Sequence, residues 1–184
     1  MKNFFPIVFV LFSTIAFAQQ DDIPVKKHEL KANAFNIILF KSVDFSYEYL
    51  INEESSIGAS LLFNLLDTDN YYEDDGPYYF EKFAFTPYYR RYFSSKYAWG
   101  FFLEAFGMFN RQEDYEDYYD SNNSNLEGTS NNVALGISLG GKFVSSKGFV
   151  FEFFGGAGRN VYQSNERYAT EIVPRLGASL GYRW

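Results

Sequence analysis

The chain has 184 residues, no cysteine, one histidine and a formal charge of −7. The missing cysteine excludes a disulfide framework and thiolate or Cys-bound metal chemistry, the lone histidine excludes a His-built metal cluster, and an acidic balance is ill suited to nucleic acid, which recruits basic faces. Aromatic residues make up 22% of the chain, yet beyond the N-terminal segment no apolar run is long enough for a membrane helix, so any passage through lipid has to be made by strands.

Residues 1–18 read as a cleaved secretory signal peptide. Lys2 supplies the positive start, Phe4 to Ile15 the apolar stretch, and Ala16-Phe17-Ala18 a small-x-small cleavage site. The apolar stretch falls short of the roughly 20 residues of a spanning anchor. Residues 19–29 are polar, of mixed charge and carry Pro24, and read as a lead-in of little structure. From Leu30 onward strand-like segments recur. The first, Leu30–Lys41, alternates imperfectly and leaves its outward face undecided. The second, Val43–Ile51, is clean: Val43, Phe45, Tyr47, Tyr49 and Ile51 oppose Asp44, Ser46 and Glu48. After the turn Asn52-Glu53-Glu54-Ser55, Ile57, Ala59, Leu61, Phe63 and Leu65 oppose Gly58, Ser60, Leu62 and Asn64.

A long acidic loop, Asp67 to Pro77, precedes Phe80–Phe93, where Phe83, Phe85, Pro87 and Tyr89 sit opposite Lys82, Ala84, Thr86, Tyr88 and Arg90. Ser94-Ser95-Lys96 turns into Tyr97–Asn110, with Trp99, Phe101, Leu103 and Phe109 on one face and Phe102, Glu104 and Phe106 on the other. Arg111 to Glu127 is the longest polar loop. In Asn132–Val144, Val133, Leu135, Ile137 and Leu139 oppose Gly136, Ser138, Gly140 and Lys142. Ser145-Ser146-Lys147-Gly148 turns into Phe149–Val161, where Phe149, Phe151 and Phe153 oppose Glu152, Phe154, Gly156 and Gly158. A short loop leads to the last segment, EIVPRLGASLGYRW, which places Ile172, Leu176, Leu180, Tyr182 and Trp184 opposite Val173, Arg175, Gly177 and Arg183.

The fold class that follows is all-β: a closed antiparallel transmembrane β-barrel of about eight strands in up-and-down order, with tight turns at one end and long loops at the other. One face of each strand is bulky and apolar, while the opposite face mixes Gly, Ser and Ala with single charges. That polarity suits a lipid-facing wall around a crowded polar lumen; an ordinary β-sandwich core is the alternative. Eight strands leave room only for side chains, so Glu48, Arg90, Glu104, Lys142, Glu152 and Arg175 are expected to pair inside, because isolated buried charges are costly. Tyr47, Tyr49, Tyr89, Trp99, Tyr182 and Trp184 are the candidates for aromatic girdles at the headgroup level. Proline donates no ladder hydrogen bond, so a bulge or a rim position is expected at Pro87 and at Pro174.

The search for chemistry yields no catalytic residue and no cofactor. His28 lies ahead of the first expected strand, out of reach of a triad in the barrel. The loops hold acidic clusters, Asp67, Asp69, Glu73, Asp74 and Asp75 in one and Glu113, Asp114, Glu116, Asp117 and Asp120 in the other, among several tyrosines. Such groups read first as solvated loops, with Ca²⁺ or an extracellular protein as candidate ligands. Asp67-Thr68-Asp69-Asn70 begins like a calcium loop but lacks its glycine and its later glutamate. Gly155-Gly156-Ala157-Gly158 has no strand–helix context for a phosphate loop and reads as relief of crowding in the lumen.

Strand number, loop asymmetry and the ending Gly181-Tyr182-Arg183-Trp184 together resemble the small eight-stranded outer-membrane barrels of Gram-negative bacteria, of OmpX and OmpA-barrel type. Leu30 through Leu65 also resembles a family of uncharacterised outer-membrane barrels with no assigned activity. The resemblance implies export to the cell outer membrane, contact with its lipid and lipopolysaccharide, and insertion by the barrel-assembly machinery, which reads the terminal strand. It implies a non-enzymatic structural or surface-interaction role and carries over no catalytic motif. A small pore and a secreted soluble ligand-binding barrel are the alternatives.

Overall fold

A computed structural model describes residues 26–65, 81–115 and 127–184. In chain order the elements are β1 (His28–Asn33), α1 (Ala34–Phe40), β2 (Ser42–Leu50), β3 (Ser55–Asn64), β4 (Glu81–Tyr92), β5 (Gly100–Tyr115), β6 (Glu127–Val144), β7 (Phe149–Gln163), a 3-10 turn at Glu166–Tyr168, and β8 (Ile172–Arg183). Each strand pairs antiparallel with the next and β1 closes on β8, giving an eight-stranded up-and-down barrel. The closure is completed by His28 and Trp184, whose backbones exchange hydrogen bonds of 3.2 and 2.9 Å. The β2–β3, β4–β5 and β6–β7 turns and both described chain ends lie at one end of the barrel, here the turn end; the other connections define the loop end.

Period two governs the strands except at bulges, and it sorts the side chains by polarity in the inverted sense. Leu135, Ile137, Leu176 and Leu180 point outward at 59%, 62%, 36% and 58% exposure, while Arg90, Glu104, Lys142 and Glu152 are 1% exposed or less. The apolar outer band has limits. Along β5 the outward residues from Phe101 to Phe109 are followed by exposed Arg111; along β6 Val133 is preceded by exposed Asn131 and Thr129. Phe101 to Phe109 matches the 9–11 residues with which a tilted strand crosses lipid, and β5, β6 and β7 project beyond it.

The wall is lower at the opposite side, where β1 has 6 residues, and there the expected strand Leu30–Lys41 is corrected. The barrel begins two residues earlier, at His28, and the chain leaves the sheet at Asn33 to form α1. Short apolar runs such as Phe35-Asn36-Ile37-Ile38-Leu39-Phe40 do not distinguish helix from strand by period alone. The cap decides it: the Asn33 side chain accepts from the Asn36 amide, and Lys41 ends the helix in the left-handed region at φ 49°. Asn33 also repairs the seam that the short β1 leaves open. Its carboxamide donates to the Leu176 carbonyl at 3.1 Å and accepts from the Ala178 amide at 3.2 Å, the β8 groups a longer β1 would have paired.

Other expectations shift with the register. A bulge between Glu81 and Phe83 turns Glu81 inward, at 3% exposure, where Lys82 was expected. The polar stretch Arg111–Tyr115, expected as loop, continues β5, and β6 starts at Glu127. Pro87 sits in the middle of β4 with neither a bulge nor a rim: on the β5 side the pairing lapses at Thr86 and Pro87 while the register is the same at Phe85 and Tyr88, and on the other side Pro87 pairs with Ala59. Pro174 lies beyond the end of β1, where β8 has a strand partner on one side only, so its missing N–H leaves no ladder bond unmade.

Candidate functional site

The interior is built from the inward row of each strand. Two apolar clusters fill part of it: Leu50, Tyr92, Ala98, Phe102 and Phe154 on the turn side, and Ala84, Tyr88, Phe106, Met108, Ala134 and Val173 toward the loop end. The rings fit because glycines stand opposite them. A Cβ on Gly136 would lie 2.4 Å from the Phe106 ring, one on Gly140 2.5 Å from Phe102, and one on Gly58 2.4 Å from Tyr88. Gly156 and Gly158 likewise press on Ser138 and Phe106.

Between and beside these clusters runs a continuous ion-pair network. Arg90 is its hub, donating from Nε to Glu104 at 2.7 Å and from Nη1 to Glu48 at 2.9 Å and Glu152 at 2.8 Å. Its guanidinium lies 4.5 Å from the Tyr88 ring and 4.3 Å from Phe102, a pair of cation–π contacts. Lys142 bridges Glu29 at 2.7 Å and Glu48 at 2.8 Å, Lys31 joins Glu48 to Glu152, and Arg175 donates to Glu104 at 2.6 Å. Ser56 and Tyr92 add hydroxyl donors to Glu48, and Ser138 adds one to Glu104. Arg183 closes the turn end, binding Glu29 at 2.7 Å and the carbonyls of Tyr97 and Ala98 at 3.1 and 2.8 Å. Ala98 is held there at φ 41° by its amide on the Glu53 carbonyl.

The six charges expected inside, Glu48, Arg90, Glu104, Lys142, Glu152 and Arg175, thus lie buried in one network. Sequence reasoning missed Glu29, Lys31 and Arg183. The signal was present: Glu29 and Lys31 are two apart on either side of outward Leu30, and Arg183 shares the face of Arg175. Glu29 was lost to the lead-in, which ends not at residue 29 but before His28, where β1 begins.

Toward the loop end the interior changes character. Asn110 donates to Asn160 at 3.1 Å, Asn132 to Asn110 at 3.0 Å, and Gln112 to Thr170 at 2.9 Å, a web of neutral amides. Two carboxylates belong to this half. Asp44 accepts from the Asn33 and Asn36 amides at 3.0 and 3.1 Å, and Glu81 accepts from Gln112 at 3.2 Å through one oxygen only.

The six aromatic candidates all fall on the outer wall in the turn-end half, Tyr47, Tyr89, Tyr182 and Trp184 at 42–48% exposure, Tyr49 and Trp99 half-buried. His28 is not ahead of the barrel but opens β1 among them: its Nδ1 is hydrogen-bonded to the Tyr47 hydroxyl at 2.6 Å, and its ring stacks on Trp184. Of the acidic loop residues, Asp67, Asp69, Glu73, Asp74, Asp75, Glu116, Asp117 and Asp120 lie outside the described residues; Glu113 and Asp114 have their backbone in β5.

Chemically, the deep network is, among the described residues, a set of mutually paired charges. Oxygens of Glu29, Glu48 and Glu152 approach within 4.8 Å of one another, as metal ligands would, but the Lys31 and Lys142 ammonium groups occupy the space among them. Among solved structures, the chain is similar to the Yersinia pestis outer membrane protein Ail in a phospholipid bilayer nanodisc, at 13% identity over 87% of this chain and 100% of that one, with a TM-score of 0.38. None of the curated proteins compared with the sequence matches it. A family model described as "Protein of unknown function (DUF3575)" matches residues 6–182, nearly the whole chain, and the protein therefore belongs to that family.

Proposed function

We propose that the protein is a non-enzymatic integral outer-membrane barrel with a structural or surface-interaction role and a lumen closed by its own charges. The observation that carries the reading is the inverted polarity: an unbroken apolar outer band around a charged, paired interior. A soluble barrel of this composition would expose that band to water and bury charges for no gain, whereas in lipid both faces are in their preferred surroundings. In this reading residues 1–18 are removed on export, the turn end with its aromatic band faces the periplasm, and the barrel-assembly machinery receives β8. The acidic, tyrosine-rich segments around Asp67–Asp75 and Glu113–Asp120 then stand outside, above lipopolysaccharide, and are the contact surface for an extracellular partner.

Cell fractionation followed by protease treatment of intact cells tests it. The chain is expected in the outer-membrane fraction, extracted only by detergent, and cut in the long loops while the barrel survives. Recovery in the soluble periplasmic or secreted fraction sinks the reading. The closed lumen has its own test, since planar-bilayer recordings of the purified barrel are expected to stay flat; steady unitary currents would favour a pore instead.

A further inference from the structure

The outward wall is not evenly bulky. Across β2, β3 and β4 two adjacent outward rows pair Tyr49 with Ile57 and Tyr89, and Tyr47 with Ala59 and Pro87; on β5 they continue in Ala105 and, opposite Pro87, in Gly107. The next row toward the loop end is large throughout: Phe45, Leu61, Phe85 and Phe109. Ala59, Pro87, Ala105 and Gly107 therefore floor a groove of about 560 Å³, with Tyr47, Tyr49, Ile57 and Tyr89 around it. That size falls within the roughly 300–1,000 Å³ of ligand sites. An unfilled groove in hydrocarbon forfeits dispersion contacts along its whole lining, so an acyl chain lies in it and the adjoining rim decides whose. That rim is basic. Among the described residues of the turn end, Lys26, Lys27, Arg91, Lys96 and Lys147 stand against two side-chain carboxylates, Glu53 and Glu54, and Glu54 is paired with Arg91. Lys26 lies over the Tyr182 ring at 5.2 Å and Lys96 over Trp99 at 4.7 Å, which holds both charges at the level of the aromatic band. Lys27 is exposed, and its carbonyl, accepting from the Leu50 amide at 2.8 Å, sets it beside Tyr49.

We propose that the groove and the rim together bind one anionic phospholipid, an acyl chain along Ala59, Pro87, Ala105 and Gly107 and the phosphate against Lys27 and the Tyr49 hydroxyl. The site rests on the integral-membrane reading above and adds to it a class of lipid. A surplus of cations selects net negative charge, whereas a zwitterionic headgroup brings its own ammonium to the lysines. A second copy is the poorer occupant. Standing in the same membrane in the same orientation, it would set its own lysine rim against this one, like charge on like.

The test uses the full folded barrel in detergent micelles, with dioleoyl-phosphatidylglycerol or dioleoyl-phosphatidylcholine titrated in. Native mass spectrometry should show one phosphatidylglycerol retained about fivefold more than phosphatidylcholine, the effect of a single lysine at a charged headgroup. The melting temperature should rise with the anionic lipid alone. Lys26→Gln with Lys27→Gln removes charge from the rim. Ala105→Leu with Gly107→Leu fills the floor from outside the lumen, where a Cβ on Gly107 meets nothing nearer than 3.8 Å. Each pair, checked for the heat-modified gel shift of a folded barrel, should lower phosphatidylglycerol retention about fivefold and abolish the thermal shift. Equal retention of the two lipids by a folded barrel overturns the site and leaves the membrane reading standing, as does retention unchanged in both pairs. A dimer mass that the filled groove abolishes overturns the site in favour of a second copy. A chain that stays in solution without detergent fails the membrane reading itself, and the site with it.

Discussion

In the turn-end half of the barrel Glu48 gathers Lys31, Arg90 and Lys142 together with two hydroxyl donors, and no polar atom of that cluster is left over. In the loop-end half Asn110, Asn132, Asn160 and Gln112 pass neutral hydrogen bonds from strand to strand, and Glu81 keeps an oxygen with no partner among the described residues. The two halves share a backbone plan and differ in what holds them. In the first, each charge depends on several others, so the interior is all-or-none; in the second, each amide has a local partner, and losses should stay local. This division fits a wall whose turn end is knit by three tight connections and whose loop end is extended by β5, β6 and β7.

The largest expected effect comes from breaking the hub of the charged half. Arg90→Ala strips a cation from Glu48, Glu104 and Glu152 at once and should destabilise the folded barrel by about 3–5 kcal/mol. It would be read as loss of the heat-modified gel shift or as a lowered urea midpoint in micelles. Replacing Asn110 by Ala in the amide half should cost less, about 1–3 kcal/mol, since it strips the Asn160 side-chain oxygen of its donor while Asn132 still donates to Gln112 and to the Ser130 carbonyl. Equal losses from the two substitutions would erase the distinction between the halves.

Gly58→Val sharpens the same comparison from the side of packing. The new Cβ would stand 2.4 Å from the Tyr88 ring and 2.6 Å from the Tyr47 carbonyl oxygen, and the backbone atom cannot rotate away. An overpacking cost of about 1–3 kcal/mol is expected, with Tyr88 driven against Arg90 and the charged half disturbed from outside it. At the seam, Asn33→Ala removes the cap of α1 and the patch on the open edge of β8 together, and should cost about 1–2 kcal/mol in the same unfolding assay.

The sequence made the barrel legible wherever period two ran unbroken. Val43 through Ile51 and Val133 through Leu139 declare their faces by alternation, and with them Glu48, Lys142 and the direction of the lumen. It was opaque where a side chain replaced backbone pairing. Nothing local to Asn33 announces that its carboxamide will stand in for a missing strand, since its partners Leu176 and Ala178 are far away in sequence. Lys82 was misplaced for a related reason: a one-residue bulge reverses the faces, and only the partner strand reveals it. Pro87 shows the converse, a residue that interrupts the pairing to β5 at its own position and at Thr86 without shifting the register on either side.

The smallest effect is also the most discriminating. Tyr88 stands between the halves, its ring against Arg90 and over Gly58, its hydroxyl buried with no hydrogen-bond partner among the described residues. If the ring alone does the holding, Tyr88→Phe keeps the cation–π contact and the fit to Gly58 while removing a polar atom that is already desolvated and unpaid. Deleting such an atom costs nothing in hydrogen bonding and relieves a penalty, so stability should be unchanged or slightly raised. Tyr88→Leu keeps comparable apolar bulk but has no π face for Arg90 or Arg175, and should lose about 0.5–2 kcal/mol. Urea unfolding of both variants separates the outcomes: a substantial loss in Tyr88→Phe would mean that the hydroxyl is partnered through water, and that the boundary between the charged and neutral halves is itself hydrogen-bonded.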